Sequence, residues 1–203
     1  MNIIESGFES RPDNPFVISF GRDSNWTVYV PDMLRKTKFC QLLREVLPYT
    51  MEEVHPVLKH SDVTVTFPEK IGIEVDGLKL TVGGQLEVQK SSNNRPQVDI
   101  QLSKYMLRKN STVYETPISW WAIRYILHEL FEYTYHRESA GIEDTLPRKK
   151  LSCPDYRFAE HEEIAEGRVL RIMQIAFNAK IGEIPPGAET FFLQNILLPD
   201  KYK

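Results

Sequence analysis

The spacing of apolar positions changes along the chain and divides it into a β-rich start, a helix, a strand-rich middle and two long helices. Residues 1–15 are polar around Pro12 and Pro15, and 16–20 and 26–30 are β-rich on either side of a Gly21-Arg-Asp-Ser-Asn turn. We read 1–30 as an N-terminal arm or short hairpin, and 31–203 as one domain. Pro31-Asp32 opens a helix expected to run to about Leu47, with Phe39, Leu42, Leu43 and Val46 at helical spacing and Pro48 as its stop. A short amphipathic stretch follows over 51–58.

From Asp62 the period becomes two. Segments 63–67, 71–75, 78–82, 86–88 and 98–102 alternate, separated by Asp76-Gly77, Gly83-Gly84 and Ser91-Ser-Asn-Asn. The expectation is a meander of four to five antiparallel strands. Two long helices come next, at about 118–138 and 157–180, joined by a long loop over 139–156. Gly182, Pro185 and Pro186 end the second, and a short apolar segment over 191–198 is expected to pack back on the body. The fold class is therefore α+β, an antiparallel sheet packed against long helices. A loop of that length inside a compact domain points to a function or to partial disorder, and it joins the two helices that carry the candidate chemistry.

On a wheel of about 100° per residue, the 118–138 helix has two faces that do not look solvated. Ile123, Ile126, Leu127 and Leu130 form an aliphatic face. Opposite them Trp121, Tyr125, Glu132 and Tyr135 cluster within roughly 60° of His128, with Glu129 and His136 at the margin. Ionisable groups among aromatics are costly to bury unless they are paired or bound to a metal. His128 and Glu132 are one turn apart and can converge on one ion, while Glu129 points beside it. In the later helix Phe158, Ala165, Val169, Ile172 and Ala176 define an apolar face, and His161 and Glu162 fall on its flanks. Glu166 borders the same side, whereas Glu160 and Glu163 point away.

The run His128-Glu129-Leu130-Phe131-Glu132 resembles the HExxH active-site helix of zincins, with glutamate in place of the second histidine. The order of helix, sheet, His-Glu helix, loop and second helix over 31–180 resembles the minimal zincin-like fold of small cytosolic metallopeptidases and their phage relatives. The resemblance implies zinc held by His128, Glu132 and a third ligand from the later helix, Glu162 in gluzincin fashion or its competitor His161. It implies that Glu129 acts as general base, that the 139–156 loop shapes a substrate cleft, and that the activity is zinc-dependent peptide or amide hydrolysis. A sheet edge at 98–102 would take an extended peptide by strand addition. Two rivals stand beside it: a non-enzymatic binding or assembly protein whose His/Glu cluster is a polar network, and a metal-dependent nuclease.

Charge and composition narrow the partners. Net charge is −3 and pI near 6.0, which speaks against bulk binding to nucleic acid, although Arg148-Lys149-Lys150 is a local basic cluster. The nuclease reading would draw on Asp62, Glu87 and Lys90, but Glu87 and Lys90 fall on opposite faces of a strand. No apolar run approaches the ~20 residues of a membrane span, and the N-terminus lacks the pattern of a secretory signal. Two cysteines, Cys40 and Cys153, make neither a disulfide framework nor a thiolate zinc cluster, so the compartment is read as cytoplasmic. Tyr133 and Tyr135 are read as packing aromatics or carbonyl-polarising groups. His136 is read as a helix-end residue or substitute ligand, and His55 and His60 as surface or turn residues.

Overall fold

The computed structural model describes residues 2–4, 14–20, 24–75, 78–90, 95–139 and 160–176. In chain order the strands are β1 (Asn2–Ile4), β2 (Asn14–Phe20), β3 (Ser24–Val30), β4 (Asp62–Thr66), β5 (Ile71–Val75), β6 (Leu78–Val82), β7 (Gly84–Lys90) and β8 (Pro96–Leu102). Helices α1 (Lys36–Glu53) and α2 (Pro56–Lys59) lie between β3 and β4. Helices α3 (Lys104–Val113), α4 (Ile118–Ser139) and α5 (Glu160–Ala176) follow β8.

The sheet is mixed, which corrects the expected antiparallel meander. Six strands run in the order β1-β2-β3-β4-β8-β7. The β2–β3 hairpin forms as expected and joins this same sheet. β4 is parallel to both its neighbours, β3 and β8, and only β7 returns antiparallel along β8. Parallel neighbours need a crossover, and the two helices between β3 and β4 supply one. β5 and β6 pair with each other as a separate two-stranded sheet. Period-two alternation decides which side chains share a face; it carries no information on which strand lies next to which. Residues 98–102 are not an edge as expected but lie in β8, which is paired on both sides; among the described residues the edge strand near α4 is β7.

One face of the sheet makes the core. Trp26, Val28, Val63, Val65, Val98, Ile100 and Leu102 are buried in one cluster with α1, α4 and α5. The alternate positions, among them Asn25, Thr27, Thr64, Asp99 and Gln101, remain partly exposed. Helix α1 passes through Pro48 rather than stopping there. The ring sits on the exposed side, while Phe39, Leu42, Leu43, Val46, Leu47 and Thr50 stay buried. Burial of that face outweighs the hydrogen bond the proline forgoes, a loss of about 3 kcal/mol or more in a helix interior. The stretch expected at 51–58 is the end of α1 and the single-turn α2. Helix α3 was not expected; its signal is Ser103, whose hydroxyl caps it by accepting from the Met106 amide, but it buries little beyond Leu107.

Helix α4 is enclosed on nearly all sides, with residues 119–128 all buried. It packs against α1, α3, α5, β7 and β8. Enclosure explains why both faces read as unsolvated in the sequence. His55 is a correction: it is buried, its Nδ1 caps α2 by accepting from the Val57 amide, and its own amide donates to Thr134 Oγ1 at 2.9 Å. His60 is exposed, as expected. At the end of α4, Arg137 is only 1% exposed and its Nε and Nη2 meet no acceptor among the described residues. Desolvating an uncompensated guanidinium opposes folding. Arg137→Met should therefore leave the urea midpoint unchanged or raise it, and a clear fall would show that the charge has a partner.

The expected 139–156 loop, the segment 191–198 and Cys153 lie outside the described residues. No helix among the described residues is long and apolar enough to cross a membrane.

Candidate metal centre

Helix α4 reaches the centre of the molecule because two glycines let a strand lie directly on it. An added Cβ at Gly83 would run into the Tyr125 ring, and one at Gly84 would meet Glu129 Oε1 at 2.5 Å. Tyr125 is fixed from the other side by Asn110, whose Nδ2 lies 2.5 Å from the phenol oxygen. Burial pushes the Tyr125 phenol up to about 12, so it stays protonated at neutral pH. One helical turn on, Glu129 occupies the same side of α4.

His128, Glu129 and Glu132 come together as the sequence spacing implied. One ligand atom from each can be chosen so that all lie within 4.8 Å of one another. His128 Nε2 is 3.5 Å from Glu132 Oε2, and the other Glu132 oxygen is 3.7 Å from His136 Nε2. A separation of 3.5 Å is long for a hydrogen bond. It is close to the ~3.3 Å expected between two ligands that each sit about 2.0–2.1 Å from a tetrahedral zinc. The imidazole of His128 and the carboxylate of Glu132 are both donors that zinc accepts. On both counts these residues fit a divalent ion.

The other imidazole nitrogen faces a group whose role the sequence did not reveal. His128 Nδ1 lies 2.7 Å from Glu166 Oε1, and the same oxygen is 2.6 Å from Arg124 Nη2. Arg124 lies across the rings of Trp121 and Tyr125, 5.1 and 5.5 Å from their centroids. Burial alone would raise the Glu166 pKa, but Arg124 and His128 outweigh it and hold the carboxyl down at about 2. Glu166 is therefore ionised at any pH near neutral. Arg124 was legible in principle: four residues before His128, it falls within roughly 40° of it on the helical wheel.

The two candidates for a third ligand, His161 and Glu162, stand in the first turn of α5, and their side chains are outside the described residues. Glu162 is one turn before Glu166, the residue that meets His128. Tyr133 is buried, which raises its pKa, with Arg137 acting against the shift; Tyr135 is partly exposed.

The residues behind the nuclease reading are on the sheet. Asp62 Oδ1 is 3.3 Å from both Arg95 Nη1 and Asn25 Nδ2. Glu87 lies opposite Asp99, whose pKa is raised by burial and by Glu87 itself. The side chain of Lys90 is outside the described residues. No protein-family model, no curated protein and no solved structure matches this chain.

Proposed function

We propose that the chain is a zinc-dependent peptidase or amide hydrolase with a zincin-like arrangement of its helices. The observation that carries this reading is the convergence of His128, Glu129 and Glu132, with His128 Nε2 spaced 3.5 Å from Glu132 Oε2. His128 and Glu132 would hold the ion, with Glu162 as third ligand and His161 as its competitor. Zinc would supply Lewis acidity to the scissile carbonyl and to the attacking water. A histidine that ligates through one nitrogen characteristically gives its other N–H to a carboxylate, and Glu166 is placed to receive it. Glu129, whose carboxylate stands in the same cluster, acts as general base. It accepts a proton from the water whose oxygen joins the carbonyl carbon, then returns it to the leaving nitrogen as the C–N bond breaks. Strand β7, the sheet's edge among the described residues, starts at Gly84, against Glu129, and is where an extended peptide or protein segment would pair by strand addition.

A second reading is favoured by one observation. Arg124 and His128 already meet at one carboxylate oxygen of Glu166. Such an arrangement is self-compensating, as a structural network in a binding or assembly protein would be. Cleavage separates the two. Zinc-loaded protein incubated with a broad peptide library, read by mass spectrometry, is expected to give new termini that a chelator suppresses. Zinc-loaded protein that cleaves nothing would remove the hydrolase reading and leave the binding module.

A further inference from the structure

The Gly83-Gly84 pair reads as a turn in the sequence, yet neither glycine has the positive φ that would demand glycine. Space, not backbone conformation, is what the pair provides. The two positions meet different obstacles. At Gly83 the obstacle is the Tyr125 ring, buried and anchored to Asn110, which has nowhere to go. At Gly84 it is the end of the Glu129 side chain, with Oε1 at 2.5 Å and Cδ and Cγ at 3.0 Å from an added Cβ. A glutamate carboxylate can swing away by rotating about its own bonds. A methyl at Gly84 is therefore tolerated by the fold and displaces the carboxylate.

We infer that Gly84 is a positioning residue: its missing side chain is the seat that fixes the Glu129 carboxylate beside His128 and Glu132. This rests on the hydrolase reading for what the carboxylate does, while the seat itself is a matter of packing. The three atoms nearest an added Cβ at Gly84 all belong to Glu129, so a methyl there strikes the base first. An error of about 1 Å in the placement of a catalytic group costs on the order of 100-fold in rate. Gly84→Ala should lower kcat about 100-fold with KM little changed and zinc affinity within about threefold of wild type. Adding Glu129→Asp, one methylene shorter, makes room for the new methyl and should offset the melting shift of Gly84→Ala without restoring the rate, because the shorter side chain leaves the carboxylate out of place. Gly83→Ala should instead lower the melting temperature sharply, because it strikes a ring.

The test measures zinc titration, peptide cleavage and melting on wild type, Gly84→Ala, Glu129→Asp and the double variant. Gly84→Ala with undiminished kcat, or with zinc affinity lost in step with activity, overturns the inference. Melting reads the seat without any chemistry: the two substitutions are expected to be non-additive, the second offsetting the first. Strictly additive melting shifts overturn the seat whether or not the protein cleaves peptides. An inert wild type that binds no zinc but keeps the non-additivity overturns the positioning role through failure of the hydrolase reading, and is distinguished from failure of the seat by that coupling.

Discussion

Glu129→Gln should retain zinc and lose peptide hydrolysis by at least a factor of about 100, the low end for removing a general base. Glutamine keeps the size of the side chain and its place against Gly84. It can still hydrogen-bond a water molecule, but it cannot take its proton. Glu132→Gln is expected to behave differently. Its oxygen is 3.5 Å from His128 Nε2, the spacing of a co-ligand, and a neutral amide oxygen binds zinc less well than a carboxylate. Metal occupancy and cleavage measured on both variants give the answer: activity lost with metal kept in the first, activity lost with metal in the second. Full activity in Glu129→Gln would contradict the assignment of the base.

The second large effect is on stability. Glu166→Ala is expected to destabilise the fold by about 3–5 kcal/mol, because it strips the buried Arg124 guanidinium of the carboxylate that compensates it. For a chain of this size that corresponds to a fall in Tm of roughly 6–20 °C. The pH dependence follows from the same pair. Glu166 titrates at about 2 in the folded chain against an ordinary value of 4.5. Its contribution is thus fully present above about pH 4.5 and is lost as the pH falls from there towards 2. Urea unfolding of wild type and variant at pH 7 and at successively lower pH should show the difference between them shrinking across that window. A difference below about 1 kcal/mol at pH 7, within the range of a surface ion pair, would mean that the contact is not a buried one in solution.

Much of the local structure was legible in the sequence. The β2–β3 hairpin announced itself by two β-rich segments around a polar turn. Helix α4 was legible because it is long and its apolar positions recur at helical spacing, and the His128–Glu132 contact follows from residues one turn apart on it. What escaped has a common origin in long-range packing. The parallel pairing of β4 with β3 and β8 joins segments distant in the chain, and period-two alternation looks the same in a parallel or an antiparallel neighbour. Pro48 inside α1 is overridden by the buried face around it. Glu166 and Arg124 sit on different helices, and nothing local to either predicts that they meet. Glu162 and Glu166, at equivalent positions one turn apart, cannot be ranked by spacing alone, and it is Glu166 whose contact with His128 is described. Gly84 is instructive for the same reason: a glycine between two strands reads as a turn until the helix beneath it is known.

The measurement that bears most directly on the metal centre is the zinc content of untagged protein after loading with zinc and removal of the excess. The account predicts about one zinc per chain in the wild type and none in His128→Ala, whose fold is verified by its circular dichroism. No stoichiometric zinc in the loaded wild type, or equal zinc in both proteins, would contradict it.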